Sequence, residues 1–407
     1  MGDLRVELYG TLMGHLVGRD RRTVDFRSAP EGVHRYGLGS TMLSESIPLE
    51  LVPSRSRADR RRSWFAELLP EGRVLARLAQ AADLSENDVP GLLRAYGRDV
   101  AGAVQIHDPD QPGEPRTPHT TRLDDQGVAD LLRGVVAQPL GNAPVTGKSS
   151  LAGVQEKIVL ARLGDRWHQV HDGYPSTHIL KPSVADHPTL IFDEEYGTRI
   201  AHRLGLATTT TEIGEFDGTT ALVAERYDRT GNGGRIHQED FNQVLGARGD
   251  QKYQVIGGKV SLQRIARVFA TRGDDASLRT LLDLVALTVA VGNLDLHAKN
   301  ISLLHPQDAP SRIAPAYDVV PLRHQPTDGD LALAVNGVYR HASITLDDIV
   351  AEAGAWGVSD ARAHVATTLG RIAEVVEAEQ PDPRAHDGLR AEIAGFVANL
   401  LAGGPVG

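Results

Sequence analysis

The chain has 407 residues, 41% hydrophobic and 24% charged, the balance of a globular protein. A formal charge of −10 excludes unaided non-specific DNA binding, which needs many Lys and Arg contacts to phosphates. With no cysteine, disulfides, thiol catalysis and thiolate zinc sites are excluded as well. The length suggests two or three domains, because single cores rarely grow past about 250–300 residues. No run approaches the roughly 20 apolar residues of a membrane span, and MGDLRVELYG is not a signal-peptide pattern, so a cytoplasmic protein is the expectation.

Residues 1 to about 52 read as strands: LRVELYGTLMGHLV, the turn GRDR and RTVDFRS form a hairpin pattern. The run SRSRADRRRS (54–63), with Arg55, Arg57, Arg60, Arg61 and Arg62, reads as a solvated loop, a nucleic-acid patch being the sharper alternative. From about 63 the period becomes helical in WFAELLP, VLARLAQAADL and VPGLLRAYG, broken by Pro70 and Pro90. GAVQIHD (102–108) reads as the strand that closes a first domain, 1–110. PDQPGEPRTPH (109–119) carries four prolines and almost nothing apolar, so 111–145 is expected to be a linker or exposed loop.

Strands return in KIVLARL, WHQVH and THILKP, followed by the helix DEEYGTRIAHRLG and the strands TTTEIGEF and TTALVAERYD. That sheet-rich unit is placed at 146–240. The remainder, 241–407, reads as mostly helical: SLQRIARVFATR, SLRTLLDLVALTVAV, DDIVAEAGAW, ARAHVATTLGRIAEVVEAE and GLRAEIAGFVANLLAG. The fold class is α+β, with a cleft between a sheet-rich and a helical lobe suited to a small ligand.

Chemistry concentrates in VGNLDLHAKNIS (291–302), where Asp295, His297, Lys299 and Asn300 share six positions after an apolar run. Phosphoryl transfer uses such a set. An Asp five residues before an Asn accepts the hydroxyl proton, and the Asn binds Mg²⁺. Asp318 in PAYDVVP (315–321) supplies a second metal carboxylate, and Mg²⁺ needs only one or two besides phosphate oxygens. His297 and Lys299 can reach a phosphate oxygen. Lys181 ends an apolar strand, where a lysine is costly unless it has a task. Glu194 and Glu195 open the next helix, and Glu195 is the expected partner of Lys181. TGKSSLAGVQEK (146–157) suits a loop whose backbone N–H groups approach phosphates. It is not a P-loop, since Asn142 stands where the first glycine is required and Gly141 is one residue too far away.

WFAELLPEG, YGRDVAGAV, SSLAGVQEK, STHILKP, LVAERYDR, QEDFNQ, GNLDLHAKN and AYDVVP, in this order over about 64–321, resemble the HipA-type serine/threonine kinases. These are toxins of bacterial type II toxin–antitoxin modules. The resemblance implies a two-lobed protein-kinase-like core with an N-terminal subdomain, using ATP and Mg²⁺. It implies that Asp295 is catalytic, that Asn300 and Asp318 bind Mg²⁺, and that Lys181 is the ATP lysine. His297, Ala298 and Lys299 fall in its nucleotide-contacting stretch, and Ala152, Gly153, Val154, Gln155, Glu156 and Lys157 in its phosphate loop. Glu225, Arg226 and Tyr227 match its hinge, whose backbone meets adenine, and Tyr317 precedes the metal aspartate. Ser150 matches the serine that such kinases phosphorylate on themselves, with Ser149 adjoining it as the alternative. Implied partners are a small helix-turn-helix antitoxin, operator DNA through that antitoxin, and a protein substrate such as an aminoacyl-tRNA synthetase. Growth arrest is the implied outcome. Two other readings stay open: a sugar or lipid-headgroup kinase on the same core, and a catalytically silent corepressor.

Overall fold

A computed structural model describes residues 2–18, 23–114, 116–231 and 233–407. The expected GRDR turn lies outside these residues beyond Gly18. Alternation sets the first sheet: in β1 (Leu4–Leu8) Leu4, Val6 and Leu8 are buried and the two charged residues between them are not. β2 (Thr11–Val17), β3 (Asp25–Ser28) and, after helices α1 (Pro30–Tyr36), α2 (Ala58–Ala66), α3 (Gly72–Ala81) and α4 (Val89–Tyr96), β4 (Val104–His107) complete it in the order β3-β2-β1-β4. The strands expected up to about 52 therefore stop at Ser28. Nor is the arginine run a loop. Most of it enters α2, where Arg61 is buried against Asp25 at 2.6 Å and Arg62 pairs with Asp59 at 2.7 Å.

The stretch expected to be a linker is largely built into the next sheet. β5 (His119–Leu123) pairs antiparallel with β7, and α5 (Asp125–Arg133), capped by Asp124, buries Val128, Ala129 and Leu132 against that sheet. The prolines before it signal a loop only as far as Pro118. β6 (Ile158–Leu163), β7 (Arg166–His171), β8 (His178–Pro182), α6 (Leu190–Arg203), β9 (Thr211–Phe216) and β10 (Thr219–Glu225) follow. The six strands run antiparallel in the order β5-β7-β6-β8-β10-β9. Leu140, Leu151, Val159, Ala161 and Val170 of this unit are buried in one core with the N-terminal sheet and helices.

The C-terminal half is helical but carries five short strands that its sequence does not announce. β11 (His237–Asp240), β12 (Ser302–His305) and β13 (Arg312–Ile313) form one sheet, and β14 (Asp330–Val335) with β15 (Val338–Arg340) another. Between them lie α7 (Phe241–Leu245), α8 (Leu262–Arg272) and α9 (Asp275–Val291), with α10 (Leu346–Ala355), α11 (Ala361–Ala378) and α12 (Leu389–Leu401) behind. The last eight residues of α9 are all buried, which makes it the axis of this lobe. It ends at Gly292, whose left-handed φ of 69° turns the chain sharply into residues 293–300. A Cβ there would lie 3.0 Å from that of Arg323, so glycine is needed for space as well as for conformation. Among the described residues no helix is long and apolar enough to cross a membrane.

Candidate active site

The loop after α9 folds on itself. The Asp295 backbone N–H donates to Asn293 Oδ1 (3.2 Å), and its carbonyl accepts from Asn300 Nδ2 (2.9 Å) and from the His297 N–H (2.7 Å). Asn300 is thereby held next to Asp295. The Asp295 carboxylate projects into the cleft with 46% of its side chain exposed. Burial and then the charge of Asp318 push its carboxyl up to about 6. Burial, followed by the nearby Lys252 ammonium, lowers His297 to about 4, so its ring is neutral near pH 7.

Lys181, on β8, meets this group from the other lobe. Its ammonium donates to Glu194 Oε1 at 2.7 Å and to Asp318 Oδ1 at 2.5 Å. Burial opposes the charge on Lys181, but the two carboxylates outweigh it and raise the ammonium well above its ordinary range. Burial likewise works against the Asp318 carboxylate, and Lys181 reverses that to hold it far below the usual range. Glu194 is fully enclosed, and desolvation lifts it to about 7. The expected partner, Glu195, instead pairs with Arg199 one turn along α6 (2.8 Å). Asp318 holds a left-handed φ of 56°, rare for a non-glycine residue and a form of strain found at functional sites.

Residues 152–157 bring Lys157 beside this group, where it feels the charges of Lys181, Asp318 and Glu194. Gly153 has φ 111°, and a Cβ on it would stand 2.8 Å from Lys157 Nζ, which donates to the Ala152 carbonyl at 2.9 Å. Burial and the Lys181 charge lower Lys157 to about 8. Val154 is exposed, while Glu156 pairs with Arg77 of α3 at 2.7 Å. Ser150 is fully buried and its hydroxyl donates to the Leu68 carbonyl at 2.9 Å. Ser149 Oγ donates to Asp99 at 3.2 Å.

The side chain of Lys299, expected to reach a phosphate oxygen, points elsewhere. Lys299 turns out of the cleft to Glu67 (2.6 Å) and Glu71 (3.0 Å) of the N-terminal domain. The Arg226 guanidinium turns to Asp228 (2.8 Å), the Val100 carbonyl (3.0 Å) and Ser176 Oγ (2.9 Å), which leaves only its backbone at the hinge. Glu225, at the end of β10, is exposed. Tyr227 and Tyr317 pack with centroids 5.2 Å apart, and the Tyr317 hydroxyl donates to the Lys299 carbonyl at 2.7 Å.

Sequence reasoning missed Glu67, Glu71, Lys252 and Tyr253. Glu71 Oε2 also binds Lys252 Nζ at 2.8 Å, and its backbone N–H donates to the Gly153 carbonyl at 3.3 Å. Burial raises Glu71, but Lys299 and Lys252 overcome this and hold it near 2. These residues lie 42 to 232 positions from the loop residues they touch, so no local pattern could have found them. The only local signal was the placing of two glutamates four apart in WFAELLPEG.

Residues 149–379 match the HipA-like C-terminal domain, and residues 4–107 match the HipA N-terminal domain. The putative kinase Y4mE of Sinorhizobium fredii is 35% identical over 289 residues, covering 68% of each chain. The serine/threonine-protein kinase toxin HipA of Shewanella oneidensis is 27% identical over 323 residues, 74% of this chain and 72% of its own. The solved complex of Shewanella oneidensis HipA with HipB and its operator DNA contains a chain of like fold. The two superpose with a TM-score of 0.77 and 25% identity, over 98% of this chain and 96% of that one.

Proposed function

The chain belongs to the HipA family of kinases, and from that premise we propose that it transfers the γ-phosphate of ATP to a serine or threonine of a cellular protein. The observation that carries this reading is the meeting of Lys181, Glu194 and Asp318 beside Asp295 and Asn300, groups drawn from both lobes. The Asp295 carboxylate takes the proton of the acceptor hydroxyl. The deprotonated acceptor oxygen then bonds to the γ-phosphorus as the bond to the bridging oxygen breaks, leaving a phosphoester and ADP. Lys181 neutralises phosphate charge, and Lys157 and the backbone N–H groups of 152–157 cover the phosphates. The tyrosine pair and the hinge backbone at 225–227 flank the base.

Asn300 and Asp318 would hold Mg²⁺. The donor set fits such an ion: two carboxylates and an amide share one opening, and the charge of Asp318 already raises Asp295. When bound, Mg²⁺ offsets charge on the phosphate oxygens.

Self-phosphorylation at Ser150 is part of the same proposal. A phosphate on this fully buried hydroxyl would face the Leu68 carbonyl, an acceptor that repels it, so the modified loop could not keep its seat. The partner is proposed to be a HipB-like helix-turn-helix antitoxin that links the chain to operator DNA. An aminoacyl-tRNA synthetase is the proposed substrate class, with arrest of growth as the result. Intact mass and radiolabel uptake with Mg·ATP test the reading. Wild type should gain phosphate, while Asp295→Ala and Ser150→Ala should not. Full labelling of a folded Asp295→Ala protein would overturn it.

A further inference from the structure

The backbone of Asp295 is fixed by Asn293, His297 and Asn300, but those bonds leave its carboxylate free to rotate. Among the described residues, the hydrogen bond that fixes the carboxylate comes from Tyr253, whose hydroxyl stands 3.2 Å from Oδ1. The other oxygen, Oδ2, lies 3.9 Å from His297 Nε2, beyond hydrogen-bond reach.

Tyr253 is itself tightly held. Its ring stands edge-on to His297 (5.5 Å, 78°), and the Lys252 ammonium lies 5.4 Å from its centroid. The segment on its N-terminal side is tied to the N-terminal domain, by Gly249 N–H to Glu67 (2.8 Å) and Lys252 to Glu71 (2.8 Å). On the C-terminal side Gln254 is tied to β14, by its N–H to the Ala332 carbonyl (3.0 Å) and its Oε1 to the Ala334 N–H (3.0 Å). Four anchors around one tyrosine far exceed what a surface turn needs.

We propose that Tyr253 is a positioning residue for phosphoryl transfer. Its hydroxyl clamps Oδ1 of Asp295, so that Oδ2 is presented to the acceptor hydroxyl. The inference rests on the kinase reading and adds a residue from outside the catalytic loop. The arrangement divides the carboxylate's work: one oxygen accepts a permanent donor, and the other is kept for the proton that moves. Burial raises the phenol far above its ordinary range, so it stays a donor and does not ionise in competition with the aspartate. Misplacing a base by an ångström costs rate without costing nucleotide affinity.

The test is single-turnover incorporation of phosphate into the unphosphorylated full-length chain over a range of Mg·ATP concentrations. Tyr253→Phe should slow transfer about tenfold. The ATP concentration for half-maximal rate should move less than about twofold, the pattern of an interaction that matters only in transfer. Fluorotyrosines at position 253 keep the hydroxyl and should restore the rate, the difluoro form most fully because it is the stronger donor. An unchanged rate in Tyr253→Phe would overturn the proposal. So would a rate and an ATP affinity that fall together, which would mark a structural role. Wild type that incorporates nothing would sink the kinase reading first and this inference with it, whereas an active wild type with a silent substitution would sink only this one.

Discussion

Lys181 and Lys299 are both buried ammonium groups held between carboxylates, and both sit in segments that read as ATP-contacting. Their settings differ in one respect. Of the partners of Lys181, Asp318 keeps 34% of its side chain exposed, so that corner opens to the cleft. The partners of Lys299 are Glu67, Asp240 and Glu71, exposed by 7%, 10% and 18%, and they close it off from the cleft. An ion pair with one open arm can exchange partners when a charged ligand arrives. One held by three carboxylates, two of them on the N-terminal domain, ties that domain to the loop after α9. The same residue type thus stands open to a charged ligand in one corner and bridges two domains in the other.

The largest expected effect separates these roles directly. Lys181→Met should slow phosphate incorporation by about 10²–10³-fold, the loss typical of a charge-stabilising donor. Retention of a tenth of the wild-type rate would remove Lys181 from the site. Lys299→Met should leave the ATP concentration for half-maximal rate within about threefold. It should instead destabilise the chain by about 3 kcal/mol, because Glu67 would be left buried without its cation while Glu71 keeps only Lys252. Thermal unfolding reads that loss. Equal losses of ATP affinity in the two variants would break the comparison.

Lys181, Asp295, Asn300 and Asp318 were legible in the sequence because each is a polar group where apolar neighbours make it costly, at spacings set by the chemistry. The structure brings these four side chains together. Lys299 shared the signal but turns to Glu67 and Glu71, since spacing along a loop does not fix which wall a side chain faces. The choice between Glu194 and Glu195 fails for a related reason. One residue on a helix is a rotation of about 100°, and both carboxylates are buried, so composition could not tell them apart. The long strands and helices were legible from their period. β11 to β15 were not, because strands of two to six residues among helices carry too little alternation. β5 and α5 were hidden behind a proline-rich loop that ends just before them.

A smaller effect concerns stability in acid, and it samples both sides of the comparison. His178 lies on β8, the strand of Lys181, and His237 lies against the N-terminal domain with Nε2–H donating to the Leu43 carbonyl at 2.8 Å. Burial lowers each to about 4, helped by Arg162 at His178 and by His305 at His237. An unfolded histidine titrates near 6.5, so between pH 6.5 and 4 the unfolded chain takes up protons that the folded chain refuses. Stability present above pH 6.5 is therefore lost as the pH falls towards 4, by up to about 1.4 kcal/mol per unit for each histidine. Denaturant titrations at several pH values should show this slope. His237→Gln should make it shallower by one histidine's share, and an unaltered slope would mean that His237 is not neutral in the fold.

The smallest effect tests the corrected carboxylate. Glu195 belongs to a separate network: Arg199 holds it at 2.8 Å, and Arg199 also binds Glu379 at 2.7 Å. Glu195→Gln keeps the buried shape and leaves Arg199 its second partner, so its cost should be that of weakening one hydrogen-bonded pair, about 1 kcal/mol. Transfer should be unaffected. Glu194→Gln keeps the shape of its neighbour across the helix but removes one of the two charges that fix Lys181. The lysine then answers to Asp318 alone, and Asp318 is the carboxylate proposed to hold the metal. Incorporation of phosphate should therefore fall in Glu194→Gln and not in Glu195→Gln. The reverse order would restore Glu195 as the partner of Lys181 and undo the division between the open and the enclosed corner.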